Sequence, residues 1–282
     1  MTDFTIAHAD EFAAAELHAA NLAAFADYVA GPIQMTLDQW PSFVGRQGIA
    51  LARSRVAVRD GAIVSFGLVC PRPEVGRWRL AGMGALPAAR GTGAAPALLA
   101  DFLARAKAEG MLHAELECFA ANERALRLYR SHGFEVVCAL NGWKPRDASA
   151  APVREALPRG VREIDRATAF AWLAEANRNI PWLQFQVTDR CQAAQVRPLT
   201  FWQCGSALLL FSVVEGTPTH IHVLVDLDPA QRDAGILANA VRAAHPDAFA
   251  PPILRDDLGG EALARAGFVR AELNQVLMRR VL

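Results

Sequence analysis

Lysine is nearly absent from this chain: Lys107 and Lys144 are the only two among 29 basic residues, and arginine supplies the rest. Net charge is lacking too. The 29 acidic residues balance the basic ones over 282 positions, which argues against a nucleic-acid partner or an anionic membrane, since both favour a clustered basic surplus. The five cysteines, Cys70, Cys118, Cys138, Cys191 and Cys204, contain no C-x-x-C pair. An odd, scattered set excludes a disulfide framework and suggests reduced, mostly buried thiols. The first residues, Met1-Thr2-Asp3-Phe4, lack a basic region followed by an apolar one, and no apolar run reaches membrane-spanning length; Ala207–Val214 is strand-sized. A soluble cytoplasmic protein is expected. Tyrosine is rare as well, with Tyr28 and Tyr129 the only two.

What is present is a large apolar share, 52%, enough for a substantial core in one large domain or two ordinary ones. Phe4–Ala7 reads as a first strand and Ala9–Ala30 as a helix stopped by Gly31-Pro32. A second helix starts near Thr36, with Thr36-x-x-Gln39 as a capping box. Arg55–Arg59 and Ile63–Cys70 form strands joined by Asp60-Gly61, a hairpin signal. Trp78–Leu86 is a further strand. Then come Arg90-Gly91-Thr92-Gly93-Ala94-Ala95, a helix over Pro96–Glu109, a strand over Leu112–Phe119, a helix from the cap residue Asn122 to His132, and a strand over Phe134–Leu140. Residues lacking bulk at Gly91, Gly93 and Ala95, at the start of a helix, describe a loop whose outward N–H groups suit a phosphate or pyrophosphate.

Lys144–Pro158 has no periodicity and reads as a linker between domains over 1–143 and 159–282. The second half repeats the first in outline: Glu261–Ala266, Gly267 and Phe268 parallel Ala125–His132, Gly133 and Phe134, and Glu272–Val281 parallels Phe134–Leu140. Where the first half has its glycine loop, the second has Asp228-Pro229-Ala230-Gln231-Arg232-Asp233-Ala234-Gly235, whose carboxylates repel phosphate. One cofactor site per chain is expected, in the first half.

Two motifs together, Ala85-Leu86-Pro87-x-x-Arg90-Gly91-x-Gly93-x-Ala95 and Asn122-x-x-Ala125-x-x-Leu128-Tyr129-x-x-x-Gly133-Phe134, one helix and one strand apart, resemble the GCN5-related N-acetyltransferase (GNAT) superfamily. The whole is similar to tandem acetyltransferases with a degenerate C-terminal copy. The resemblance implies an α/β (mixed α+β) fold class: two tandem GNAT-like acyl-CoA N-acyltransferase folds, each a twisted mixed sheet flanked by helices. It implies acetyl-CoA as co-substrate, with pantetheine on the backbone of Met83, Gly84 and Ala85, pyrophosphate on Arg90, Gly91, Thr92, Gly93, Ala94 and Ala95, and Asn122 and Tyr129 at the pantetheine and thiol end. Direct acetyl transfer to an amine of a small molecule, peptide or protein follows, with a backbone N–H near Ala85 steadying the oxyanion.

Tyr129 is the candidate acid for the leaving thiolate, against a reading as a helix tyrosine packed in the core. The strand Trp78–Leu86 carries no carboxylate, which leaves the base to the next strand. There Glu115 and Glu117 share a face with His113, and Glu117 is the candidate, against a reading as a paired strand carboxylate. Substrate choice falls to the segment Asp27–Trp40, with Tyr28, Gln34, Asp38 and Trp40 as candidate contacts. His220-x-His222 lacks a third ligand at clear spacing, so no metal is expected. Cys118 reads as a buried strand residue. The second half suits a lid, a homodimer surface or a stability element. The competing function is a non-catalytic acyl-CoA-binding or regulatory protein that kept the loop and lost turnover.

Overall fold

The computed structural model describes residues 3–147 and 157–282. The expected linker therefore lies, apart from its ends, outside the described residues. The chain divides into two compact units, Met1–Val137 with Leu277–Leu282, and Cys138–Val276. The division falls inside a strand rather than at the linker expected from composition, and the last six residues belong to the first unit.

The first unit runs β1 (Thr5–His8), α1 (Ala14–Ala24), α2 (Trp40–Arg46), β2 (Arg55–Arg59), β3 (Ala62–Arg72), β4 (Arg77–Ala85), α3 (Ala94–Ala108), β5 (His113–Phe119) and α4 (Glu123–Ser131). Strands β1 to β4 are antiparallel neighbours in order, and β5 joins β4 in parallel. The helix expected over Ala9–Ala30 is shorter. It begins after Ala13, whose N–H donates to Glu16 Oε2 at 2.9 Å, and ends with Phe25 N–H on the Asn21 carbonyl at 3.2 Å. At Thr36 the N–H donates to Gln39 Oε1 at 3.1 Å as the capping signal predicts, but a single 3₁₀ turn precedes α2. Asp60 and Gly61 take φ of 52° and 78°, the left-handed pair that a two-residue hairpin needs.

A bulge at Val64, between the register pairs Ala57–Ser65 and Val58–Ile63, breaks the strict alternation of β3. Ile63 then joins Phe66 and Leu68 in one cluster with Leu17, Ala20 and Ala24 of α1. Val64 joins Ala57 in another, with Leu98 of α3. Fully burying side chains such as Leu98, Leu99 and Phe102 contributes roughly 1.5–3 kcal/mol each, and this holds α3 in place.

The second unit takes in most of β6 (Glu135–Pro145), then β7 (Arg162–Glu163), α5 (Arg166–Asn179), α6 (Asp189–Ala193), β8 (Thr200–Cys204), β9 (Ala207–Ser212), β10 (His220–Asp226), α7 (Arg232–Ala244), β11 (Ala250–Leu254), α8 (Glu261–Arg265) and most of β12 (Phe268–Val281). Strands β7 to β10 form an antiparallel sheet, and β11 pairs with β6. The order helix, left-handed glycine, strand occurs twice: α4, Gly133 at φ 77° and β6, then α8, Gly267 at φ 87° and β12. Strand β11 was invisible in the sequence because it contains Pro251 and Pro252, tolerated here at an edge.

The start of α7 is closed by a carboxylate at the end of β10. Asp226, 1% exposed, accepts from the Ala234 N–H (2.9 Å), the Asp228 N–H (2.9 Å) and the Ser206 hydroxyl (2.7 Å). A single turn over Asp256–Gly260 packs so tightly on β10 that a Cβ on Gly259 would sit 2.4 Å from the Leu224 carbonyl oxygen. No helix among the described residues is long and apolar enough to cross a membrane.

Candidate active site

Strands β4 and β5 pair only from Arg77–His113 to Leu80–Leu116. A bulge follows at Ala81, between the pairs Leu68–Gly82 and Val69–Leu80, and re-aims the end of β4. Beyond it Met83, Gly84 and Ala85 border a cavity of about 380 Å³. Gly84 is required there: a Cβ would stand 2.7 Å from Phe66 Cζ and 2.8 Å from Ala24 Cβ.

The second wall is the loop into α3. Gly91 and Gly93 have φ of 82° and 89°, and a Cβ on either would meet nothing within 4 Å, so backbone conformation is what calls for glycine. Thr92 folds back, its hydroxyl on the Ala89 carbonyl at 2.8 Å. Gly93 caps α3 without a side-chain hydrogen bond. The Ala94 and Ala95 N–H groups, in the first turn, have no preceding turn to bond to. Pro96 has no N–H to offer. The helix start thus presents a few open donors and the positive end of its dipole, and Gly91, Gly93, Ala95 and Pro96 line the cavity.

The third wall is α4. Asn122 accepts the Ala125 N–H at 3.2 Å and so starts the helix. One turn apart, Ala125 and Tyr129 face the cavity, with Leu128 beside them. Tyr129 is 7% exposed, its ring edge-on to Phe134 at 6.0 Å. Burial, with Cys118 and Tyr28 adding to it, pushes its phenol well above the usual tyrosine range. Tyr28 is packed edge-on to Phe25 (4.8 Å) and Phe119 (5.6 Å). Its phenol is pushed up to about 12, by burial first and Cys118 next, while a hydrogen bond with Asn122 works the other way. The Cys118 thiol is also pushed up to about 12 by burial, and donates to the Phe119 carbonyl at 3.5 Å.

The charged lining is Asp27, Arg90 and Arg124. Arg90 donates to both oxygens of Asp27, which holds that carboxyl down at about 2.

Of the residues singled out in the sequence, Met83, Gly84, Ala85, Arg90, Gly91, Gly93, Ala95, Asn122, Tyr129 and Tyr28 come together around this cavity. Thr92 and Ala94 do not line it; Thr92 is exposed and Ala94 is buried under the helix start. Gln34 is exposed and away from the lining. Trp40, expected as a substrate contact, is corrected to a core residue: it is 2% exposed, packed against Phe43 at 5.4 Å and edge-on to His18 at 6.1 Å. Glu117, expected as the base, is outside the lining, and its carboxylate is taken by Arg79, with Nε at 2.8 and 3.1 Å from the two oxygens. Glu115 is likewise committed to Arg72 and Arg77. His222 bonds Ser212 at 2.9 Å and stacks on His220, and the described residues hold no cluster suited to a metal. Asp27, Arg124 and Phe25 were missed as lining residues. Asp27 alone left a signal, as the first residue of the segment assigned to substrate choice.

Residues 18–134 match the family model described as Acetyltransferase (GNAT) family. Among solved structures the chain is similar to a GCN5-related N-acetyltransferase from Sphaerobacter thermophilus (TM-score 0.68, 16% identity, covering 100% of this chain and 96% of that one). It is also similar to one from Anabaena variabilis (TM-score 0.65, 16% identity, 99% and 72%). At such identity the likeness concerns the fold, and it extends over both units. No curated protein sequence matches this chain.

Proposed function

We propose that the chain, whose residues 18–134 match the GNAT acetyltransferase family model, is an acetyl-CoA-dependent N-acetyltransferase that passes an acetyl group directly to a primary amine of a small molecule, peptide or protein. The supporting observation is that one cavity is bordered both by the open helix start at Gly93–Ala95 and by the buried phenol of Tyr129. The first is a place for a pyrophosphate and the second a place for a proton donor.

The residues present fit the co-substrate. The N–H groups of Gly93, Ala94 and Ala95 would hold phosphate oxygens, and the part of β4 beyond its pairing with β5 would lay backbone at Met83, Gly84 and Ala85 along an extended amide chain, although the Gly84 carbonyl already accepts the Ser65 hydroxyl and the Ala85 carbonyl is reached by Arg90. Acetyl-CoA supplies an acyl group activated as a thioester. Tyr129 would give its proton to the departing sulfur, and the proton that the amine nitrogen loses as the amide forms would return through water to the Tyr129 phenolate. Asn122 orients Tyr28 beside it. Asp27 is ion-paired and Glu117 lies outside the lining, so neither is given a step; the acceptor amine enters neutral. The second unit serves no cofactor, because Asp226 already caps the helix start where an anion would bind.

The test is calorimetry with acetyl-CoA followed by a thiol-release assay over an amine panel. Binding with acceptor-dependent release is expected. Binding without turnover on any amine would favour an acyl-CoA-binding regulator, and absence of binding would exclude both.

A further inference from the structure

The Arg90 side chain reaches two stretches of chain apart from its own, through two backbone carbonyls and one carboxylate. Its Nη2 donates to Asp27 Oδ1 at 2.5 Å and to the Ala24 carbonyl at 3.3 Å, its Nη1 to Asp27 Oδ2, and its Nε to the Ala85 carbonyl at 3.4 Å. Ala24 ends α1, Asp27 stands one residue before Tyr28, Ala85 ends β4, and Arg90 opens the glycine loop. Ala24 is among the last carbonyls of its helix, which have no partner inside the helix and carry its negative end. A guanidinium fork is the side chain that can satisfy a carboxylate and two carbonyls at once.

We propose that Arg90 and Asp27 act as positioning residues, a staple that sets the glycine loop and the Tyr28 turn in register with each other, and that the Arg90 side chain is therefore not a phosphate ligand. This rests on the reading of the cavity as an acyl-CoA site. With its fork occupied, the guanidinium of Arg90 faces α1 and β4, and the loop's backbone N–H groups are left to receive phosphate. The staple also ties the cofactor wall to the wall carrying Phe25, Tyr28 and Val29, so loosening it disturbs both.

The two roles for Arg90 make opposite predictions at Asp27. A carboxylate beside a pyrophosphate repels it, so if Arg90 bound phosphate, Asp27→Asn would remove a repulsion, release the guanidinium and tighten CoA binding. If the pair is a staple, Asp27→Asn weakens binding although a negative charge has been removed. The experiment measures CoA and acetyl-CoA affinity by calorimetry for wild type, Asp27→Asn, Arg90→Gln, Arg90→Lys and the Asp27→Asn/Arg90→Gln double variant, at two salt concentrations, with thermal melts to establish folding. Each single change should weaken CoA binding by roughly two- to fivefold, the scale of a partly exposed ion pair. The double variant should be no weaker than the singles, because the same contact is lost once. Arg90→Lys should fail to rescue, since it keeps the charge and loses the fork. The salt dependence of Arg90→Gln should match wild type, and KM for acetyl-CoA should rise with kcat held. Tighter or unchanged binding by Asp27→Asn, or full rescue by Arg90→Lys, overturns the staple alone. Wild-type protein that binds neither CoA nor acetyl-CoA overturns the proposed function and the staple with it.

Discussion

Arg79 and Glu117 form a buried ion pair between β4 and β5: Arg79 Nη2 lies 2.8 Å from Glu117 Oε2, and the two side chains are 2% and 3% exposed. Arg79 also donates to the Gln47 backbone carbonyl at 3.2 Å and to its side-chain oxygen at 3.1 Å. The carboxylate best placed by sequence for catalysis is therefore a structural one. Replacing Glu117 with Ala leaves a buried guanidinium short of its counter-ion and should cost about 3–5 kcal/mol in urea unfolding. Glu117→Gln, in whatever fraction stays folded, should keep the wild-type pH profile of kcat/KM; loss of an acid-side limb would restore Glu117 as the base.

Tyr129→Phe removes the proton and leaves the ring. Turnover should fall about 100-fold, the low end of what a positioned acid contributes. The Kd for acetyl-CoA should stay within about twofold, since the change touches a step confined to the transition state. Equal losses in both would reassign Tyr129 to binding.

Both tyrosines of the chain are held protonated by burial, Tyr28 with a value of about 12 and Tyr129 higher still. An unfolded tyrosine ionises near about pH 10. Below that pH both states keep their protons and the stabilisation is whole. As pH rises toward 12 only the unfolded chain releases them, so stability falls with pH. Ultraviolet titration should show no phenolate near pH 10 in folded protein, followed by ionisation together with unfolding. A normal titration at pH 10 with the fold intact would contradict the buried positions.

Gly93→Asp places a carboxylate where the helix start is open. The space is free of protein atoms, so the effect is electrical and conformational rather than steric. A like charge within about 4 Å of a phosphate costs roughly 1 kcal/mol in water and about 4 kcal/mol near a protein surface. CoA affinity should drop at least about tenfold by calorimetry. Gly93→Asn, which tolerates φ above zero without the charge, should retain most of it.

Gly259→Ala probes the packing of the Asp256–Gly260 turn on β10. The new methyl meets the Leu224 backbone at 2.4 Å, and backbone cannot step aside as a side-chain tip can. Overpacking of this kind costs about 1–3 kcal/mol, measurable as a lower melting temperature.

Much of this was legible in the sequence because the signals were local. Asp60-Gly61 fixed a hairpin, Asn122 a helix start, and Gly91 and Gly93 a loop, each through the dihedral preferences of a few neighbouring residues. What escaped depends on residues far apart in the chain. The Arg79–Glu117 pair joins positions 38 apart, and the Arg90–Asp27 pair joins positions 63 apart. Trp40 looks the same in sequence whether it faces a ligand or the core, and only the packing of His18 and Phe43 decides. Strand β11 was hidden because its edge position excuses two prolines that local preference forbids. The bulges at Val64 and Ala81, which set the faces of β3 and part β4 from β5, have no residue signature.

The first compact unit includes Leu277–Leu282, where the Leu282 N–H bonds the Leu112 carbonyl at 3.1 Å and Arg280 reaches the His132 carbonyl at 2.5 Å. During synthesis, this unit is therefore completed only after the second unit has been made. Its cavity is encoded by residue 129, but its final strand segment arrives only when nearly 150 further residues have been made, as the Arg280–His132 separation of 148 measures. The nascent first half must wait with an open edge, exposed to mispairing and to chaperones, until Leu277–Leu282 have been made.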